Sequence, residues 1–154
     1  AAEALLRRLR QSGQLPKVNP LVDLCNAVSV HAAAPIAIFD CARVAWPLAV
    51  AHARGDEEFL SFSGEVEHPA EAEVVFVDAA GRAHARKWAH RQSSFSAVST
   101  STESVLIVIE AFHEGGSSTV ATALARLDEA FHQVPGCIAT SRMLSASSPD
   151  FFGS

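Results

Sequence analysis

Residues 15–40 read LPKVNPLVDLCNAVSVHAAAPIAIFD, and the rest of the chain is organised around this stretch. Asn19 stands directly before Pro20, in the position of a helix N-cap, and proline is tolerated in the first turn of a helix. Neither glycine nor proline interrupts the sequence from there to His31, so the pattern predicts a helix. Because both arcs of its helical wheel are mostly apolar, we expect the helix to be buried.

Asn26 is a polar residue inside this apolar helix. A side-chain amide that is left without a hydrogen-bond partner in such surroundings costs about 1–3 kcal/mol. Two interpretations stay open from the residues alone. Either another part of the fold hydrogen-bonds Asn26, or Asn26 faces a pocket in which a ligand does.

The composition, with 49% apolar and 19% charged residues, indicates an ordinary soluble protein. The length of 154 residues predicts one domain, residues 1–144, and a loosely ordered tail, residues 145–154. No apolar run is long enough to span a membrane and no signal peptide opens the chain, so we expect a cytoplasmic protein without a membrane partner. The net charge of −5 limits any nucleic-acid contact to a local patch.

The usual sequence patterns of metal and cofactor sites are missing. The three cysteines and seven histidines show no CxxC, HExxH or other short ligand spacing. There is no Walker loop, no glycine fingerprint for a dinucleotide and no GxSxG turn of a serine hydrolase. We therefore expect no disulfide framework, no metal and no cofactor.

Residues 2–11 predict a helix that ends at Gly13. This helix carries leucines on one side and arginines elsewhere, namely Leu5, Leu6 and Leu9 against Arg7, Arg8 and Arg10. The arginines either form a solvated face or contact phosphates.

Later segments predict several short strands and one more helix. The clearest strand is EVVFVD (residues 73–78), and a turn returns the chain as a partner strand over residues 82–88, which places His84, Arg86 and Trp88 on one face. Residues 36–39 and a fully buried VLIVI (residues 105–109) predict two further strands, and Thr119 caps a helix to about residue 132. Together these elements indicate an α+β fold, with a mixed, largely antiparallel sheet packed with helices.

Residues 86–102, RKWAHRQSSFSAVSTST, are the densest polar stretch of the chain. They lie between two predicted strands and are too many for a tight turn, so we expect a loop that the sheet holds in place. Arginine binds phosphate and an indole offers a stacking face, which suits a partner made of phosphate, ribose and base. The alternative is a solvated surface loop that contains a core tryptophan.

The sequence resembles a known family along most of its length, residues 3–132. NPLVDLCNAVSV followed by PIAIFD resembles the B3/B4 editing domain of the phenylalanyl-tRNA synthetase β subunit, where a helix of the form NxVVDxxNYV precedes a strand of the form PLHAFD. The segments ALLRRLR, GDEEF, EVVFVDAAGRAHARKW, RQSSFSAVSTST and VLIVIEAF resemble freestanding members of that family. Those members usually carry a further N-terminal extension, which we expect to be absent here.

The resemblance implies a fold of mixed sheet and helices and a role in the quality control of aminoacyl-tRNA. The expected reaction is hydrolysis, in trans, of the ester that links a wrong amino acid to the 3′ end of a tRNA. Asn26 matches the asparagine in the helix of the synthetase pocket. Ala37 stands where the synthetase has its histidine, and no residue near Ser94 matches the glutamate that the synthetase presents there.

Within this resemblance, ten residues are candidates for the site. Three of them would position the water and the ester carbonyl, namely Asn26, Gln92 and Ser93. Arg86 and Arg91 would hold the terminal phosphates. The remaining candidates would stack on, pack near or hydrogen-bond the substrate or its ammonium group, and they are Trp88, Thr100, Thr102, Asp23 and Glu110.

The alternative function is a binding module that recognises tRNA or an amino-acid-like ligand without hydrolysing it. The absence of the synthetase's histidine and glutamate favours this binding module. Asn26 and the segment Arg91–Gln92–Ser93 favour the deacylase. The deacylase requires Asn26 and Gln92–Ser93 to converge on one cavity that accommodates an aminoacylated ribose.

Overall fold

The structure is a computed structural model that describes residues 2–15 and 17–152. Over these residues the chain forms three α-helices, which are α1 (Ala2–Ser12), α2 (Pro20–Ala32) and α3 (Gly116–His132). Eight short strands accompany them: β1 (Ile36–Asp40), β2 (Ala49–His52), β3 (Phe59–Leu60), β4 (Val66–Glu67), β5 (Val74–Val77), β6 (Ala83–Arg86), β7 (Arg91–Gln92) and β8 (Val105–Ile109). The predicted α+β fold is confirmed.

The strands pair in antiparallel fashion within three separate groups. β1 pairs with β8, β3 pairs with β4, and a four-stranded sheet has the order β2-β5-β6-β7. The predicted hairpin is β5–β6, in which Val75 lies opposite Arg86. Asp78 shapes its turn, because Oδ1 accepts hydrogen bonds from the N–H groups of Ala80 and Arg82 at 2.9 and 3.0 Å.

Helix α2 begins where the sequence predicts. The Asn19 side chain accepts a hydrogen bond from the N–H of Leu21 at 2.9 Å, and Pro20 occupies the first helical position. Cys25 and Val28 are buried in a cluster that also holds Ile38 of β1 and Leu127 of α3. Burying one such aliphatic side chain contributes about 1.5–3 kcal/mol, so this face fixes α2 on the β1–β8 pair.

Helix α2 is not buried all round, which corrects one expectation. Ala27 and His31 are exposed, and Asn26 and Asp23 are half-buried. Because α1, α3 and the β1–β8 pair together contact only part of the helix surface, the remaining arc is exposed to solvent.

Three details of the other predicted elements are also corrected. Strand β8 is half-buried rather than fully buried along its length. Helix α3 starts at Gly116 with Gly115 as its N-cap, so Thr119 lies inside the first turn. Strand β6 ends at Arg86, because Lys87 adopts a left-handed conformation, and Trp88 therefore does not share a strand face with His84.

Residues 86–102 are not one continuous loop. They contain strand β7 and two short 3₁₀ turns, Trp88–His90 and Ser94–Ser96. Several of their side chains are buried, among them Ser93 and Ser96. Beyond α3, residues 133–152 contain no helix or strand and are mostly exposed, and the boundary at residue 144 stays a prediction.

Candidate functional site

Asn26 is half-buried on α2, beside the buried Cys25. Its side-chain amide forms no hydrogen bond with any residue that the structure describes. Every buried side-chain nitrogen and oxygen atom in the described part has a partner, so the amide of Asn26 is in contact with solvent. Both its donor and its acceptor are therefore available to a ligand.

Asp23 lies one turn before Asn26 and holds the chain that leads into the helix. Its Oδ1 accepts a hydrogen bond from the N–H of Val18 at 2.9 Å. The carboxylate also lies in the first turn of α2, where a negative charge interacts favourably with the helix dipole.

Gln92 contacts the backbone of β1 with both ends of its side-chain amide. Oε1 accepts a hydrogen bond from the N–H of Ile38 at 3.4 Å, and Nε2 donates to the carbonyl of the same residue. The amide therefore pairs with the edge of β1 that does not face β8, in the way a neighbouring strand would. This contact ties β7 of the four-stranded sheet to the β1–β8 pair.

Ser93 is fully buried and its hydroxyl contacts β3. The hydroxyl donates to the carbonyl of Leu60 at 2.8 Å and accepts from the N–H of the same residue at 3.2 Å. It also accepts from the N–H of Phe95 at 3.2 Å, as the cap of a 3₁₀ turn. In this structure both Gln92 and Ser93 hydrogen-bond to backbone groups of the protein.

Arg86 and Arg91 form an ion-pair cluster with Glu67 and Glu73. Arg86 binds Glu73 through Nε and Nη2 at 2.8 and 3.0 Å and Glu67 through Nη1 at 2.7 Å. Arg91 binds both oxygens of Glu67 at 2.8 and 2.9 Å. Both guanidinium groups lie over the ring of Phe59, at 5.3 and 4.9 Å from its centroid.

The glutamates and the arginines of this cluster shift each other's pKa values. The hydrogen bond from Arg86 lowers the pKa of Glu73, and that from Arg91 lowers the pKa of Glu67. Hydrogen bonds to the same carboxylates raise the pKa values of Arg86 and Arg91. Both the arginines and the glutamates of the cluster are charged at neutral pH, so the carboxylates of the protein already neutralise the two guanidinium groups.

Glu110 contacts the turn that follows β6 and contains Trp88. The N–H of Ala89 donates to Oε2 of Glu110 at 2.9 Å, and burial raises the pKa of this carboxyl group. Trp88 is 41% exposed, and its ring centroid lies 4.3 Å from that of Phe112. No sequence pattern marks Phe112, because its ring packs against that of Trp88, 24 positions earlier in the chain.

The two threonines differ. Thr102 donates a hydrogen bond to Oδ2 of Asp40 at 2.7 Å and accepts one from the N–H of Ser99 at 3.0 Å, so it braces its loop. Thr100 is exposed, and its hydroxyl has no hydrogen-bond partner among the described residues.

Asp78, His84 and Ser96 form a buried chain of hydrogen bonds that the sequence did not predict. His84 Nε2 lies 2.9 Å from Oδ2 of Asp78, and Nδ1 lies 2.8 Å from Oγ of Ser96. The order resembles that of a serine hydrolase triad, but the side chains of Asp78 and His84 are 0% exposed and Ser96 is also 0% exposed. A substrate carbonyl cannot reach this hydroxyl, so the chain acts as a polar part of the core.

Hydrogen bonds do not join the candidate catalytic residues to one another. Ile38 links them indirectly, because its backbone pairs with Gln92 and its side chain packs in the cluster of Cys25 and Val28 on α2. A cavity of about 220 Å³ lies elsewhere, where the end of α2 meets the start of α3. Its lining residues are His31, Ala32, Ser118, Thr119 and Thr122. The convergence of Asn26 and Gln92–Ser93 on one cavity stays a prediction.

The described residues contain neither a cluster of metal ligands nor a membrane-spanning helix. No three His, Cys, Asp or Glu side chains lie close enough together to hold a metal ion. No helix in residues 2–15 and 17–152 has the length and apolar content that crossing a bilayer requires.

The fold and the site define a small α+β module that presents one open amide on a helix packed against a strand pair. The chain belongs to the B3/4 domain family, that of the phenylalanyl-tRNA synthetase β-subunit B3/B4 domain, whose family model matches residues 1–130. It is therefore a module related to a tRNA synthetase. No curated protein matches the chain.

Proposed function

We propose that this protein hydrolyses the ester bond between a wrongly attached amino acid and the 3′ end of a tRNA, acting on the tRNA in trans. The observation that carries the proposal is the amide of Asn26. It is held on α2, reaches solvent, and has no partner among the described residues. Membership of the B3/4 domain family supports a substrate related to tRNA.

The reaction needs little from the protein beyond positioning. An aminoacyl ester is already activated, so the oxygen of a water molecule adds to the ester carbonyl carbon. The bond from that carbon to the ribose oxygen then breaks, and the proton of the water passes to the ribose oxygen. Asn26 donates its Nδ2–H to the oxyanion that develops on the carbonyl oxygen, or holds the water with Oδ1.

In this proposal the phosphates of the tRNA bind to α1. Its arginines, Arg7, Arg8 and Arg10, are exposed and form no ion pair with the side chains of residues 5–15 and 17–152. Helix α1 contacts α2, the helix that carries Asn26. Arg86 and Arg91 bind phosphate only if their hydrogen bonds to Glu67 and Glu73 are broken, which makes them weaker candidates.

In this proposal Gln92 positions β1 beside α2, and Ser93 holds the segment after β7 against β3. The Gln92 amide fixes β1, and β1 supports the buried face of α2. Asp23 and the exposed Thr100 are the remaining groups that can meet the substrate ammonium, since Glu110 is buried and Thr102 already donates to Asp40.

The test is a deacylation assay on a panel of mischarged tRNAs with the wild-type protein and Asn26→Ala. Loss of one oxyanion donor lowers kcat by about 100-fold. Gln133→Ala is the matched control, because it removes an exposed amide at the far end of α3. We expect rapid hydrolysis by the wild type and by the control, and slow hydrolysis by Asn26→Ala at an unchanged urea midpoint. Unchanged turnover in Asn26→Ala removes this residue from the mechanism.

A binding module without hydrolysis is the second candidate, and one observation favours it. The side chains of Gln92 and Ser93 are both occupied by backbone partners, and Ala37 carries no polar group. This alternative predicts that tRNA binds and that no member of the panel loses its amino acid. The same assay, run with a parallel filter-binding measurement, separates the two functions.

A further inference from the structure

Trp88 and Phe112 form a pair of exposed aromatic rings. Their centroids lie 4.3 Å apart with an angle of 49° between the ring planes, and the residues are 41% and 66% exposed. Neither ring belongs to one of the hydrophobic clusters of the described core. Since aromatic side chains gain most of their stabilising energy from burial, this pair holds a large apolar surface open to solvent.

The backbone that presents Trp88 is strained. Lys87 and Trp88 are consecutive non-glycine residues in the left-handed region, with φ of 51° and 60°. Each such residue costs on the order of 1 kcal/mol or more and persists only when surrounding contacts enforce it. Two hydrogen bonds hold this turn, from the N–H of Ala89 to Glu110 at 2.9 Å and from the N–H of His90 to the carbonyl of Lys87 at 3.3 Å.

This turn is attached to the part of the fold that carries Asn26. The N–H of Glu110 donates to the carbonyl of Pro35 at 3.2 Å, and Pro35 lies in the connection between α2 and β1. The turn that presents Trp88 is therefore joined, through Glu110 and Pro35, to the connection that follows the helix on which Asn26 is open to solvent.

We propose that Trp88 and Phe112 form a stacking platform for an unpaired nucleobase at the 3′ end of the tRNA. This inference rests on the proposed function for the identity of the base. A planar base stacks on exposed aromatic rings, and the exposed Lys87 beside them supplies a positive charge for the neighbouring phosphate. The platform holds the terminal nucleotide while the ester reaches Asn26.

The test uses the trinucleotide CCA as the probe and Trp88 as the reporter. Trp46 is the other tryptophan of the chain, so Trp46→Phe leaves Trp88 as the single indole. We expect saturable quenching of Trp88 fluorescence by CCA and none by an analogue that lacks the terminal base. Phe112→Ala weakens binding about tenfold, in line with the loss of one stacking contact.

Two further variants complete the design. Phe62→Ala is the matched control, because it removes another exposed aromatic ring, 72% exposed, between β3 and β4. It leaves CCA binding unchanged. The two Trp88 variants lack the fluorescent reporter, so filter binding measures their affinity for CCA. Trp88→Phe retains a stacking face and binds CCA, whereas Trp88→Leu has no aromatic ring and does not bind it. Equal quenching by the baseless analogue, or an unchanged affinity in Phe112→Ala, overturns the platform.

The outcome is distinguishable from that of the proposed function. If the wild type deacylates tRNA and Trp88→Leu has the same KM, the platform is wrong and the hydrolysis stands. If no tRNA is deacylated and CCA still quenches in a base-dependent way, the platform stands and the hydrolysis is wrong.

Discussion

The arginines of the ion-pair cluster and those of α1 differ in whether the protein already neutralises them. Arg86 and Arg91 bind Glu67 and Glu73 with hydrogen bonds of 2.7 to 3.0 Å. The arginines of α1 are exposed and form no ion pair with the side chains of residues 5–15 and 17–152. A sequence displays both groups as cations, but only an unpaired cation binds phosphate without first breaking an internal contact.

Arg86→Ala is expected to have the largest effect on stability among the variants that test this difference between the arginines. The side chains of Arg86 and Glu73 are 9% and 11% exposed, so the substitution leaves a nearly buried carboxylate without its cation. We expect the free energy of unfolding to fall by about 3 kcal/mol, measured by urea denaturation followed by circular dichroism.

Arg91→Ala is the control for this measurement. Its side chain is 43% exposed and it binds one carboxylate, so the loss of stability is much smaller. If Arg86→Ala is as stable as Arg91→Ala and instead binds tRNA poorly, then Arg86 behaves like the arginines of α1, and the comparison fails.

Gln92→Ala tests whether β7, the strand that also carries Arg91, holds the four-stranded sheet to the β1–β8 pair. The substitution leaves the N–H and carbonyl of Ile38 without the partner they have in the wild type. We expect a loss of about 2 kcal/mol in the free energy of unfolding. Gln133→Ala, at an exposed position, is expected to change stability by less than about 0.5 kcal/mol. Wild-type stability with slow deacylation would place Gln92 in the chemistry instead.

The fold was predictable from sequence where short-range signals decide it. Asn19–Pro20 and the uninterrupted residues after them predict α2, and a β-branched run beside a glycine turn predicts the β5–β6 hairpin. The end of β6 was not predictable. The alternating pattern continues to Trp88, but a hydrogen bond from Ala89 to Glu110, 21 residues away, fixes the left-handed turn.

The candidate site was less predictable than the fold, for the same reason. The position of Asn26 follows from its helix, but the absence of a partner for its amide depends on which elements pack around α2. The pairing of Arg86 depends on Glu67 and Glu73, which are 19 and 13 residues away. Composition identifies polar groups, and only tertiary contacts decide which of them the protein itself uses.

Replacing the three arginines of α1 by alanine tests whether these exposed cations bind the phosphates of tRNA. We expect the Kd for tRNA to rise about tenfold and the salt dependence of binding to become shallower, because fewer counterions are released. The urea midpoint is expected to stay the same, since these side chains are exposed. Filter binding over a range of salt concentrations measures both quantities. A lower midpoint with unchanged affinity would show that the arginines are structural.

Glu110→Gln has the smallest expected effect and tests whether pairing, rather than burial, makes an internal charge favourable. Glu110 is buried, accepts a hydrogen bond from Ala89, and has no cation within ion-pair distance in the described part of the chain. Burial raises its pKa, whereas the hydrogen bond from Arg86 lowers that of Glu73.

The two carboxyl groups therefore contribute to stability with opposite signs. The pKa of Glu110 is raised in the folded state. The contribution of Glu110 to the free energy of unfolding is therefore lost as the pH rises from the pKa of the unfolded state, about 4.3, through the pKa of the folded state. Glutamine keeps the acceptor oxygen and removes the charge, so Glu110→Gln raises the urea midpoint at pH 7 and not at about pH 4. Glu73→Gln lowers the midpoint at pH 7, because that carboxylate is paired with Arg86. If both variants shift the midpoint in the same direction, the partner of an internal charge does not decide its contribution here.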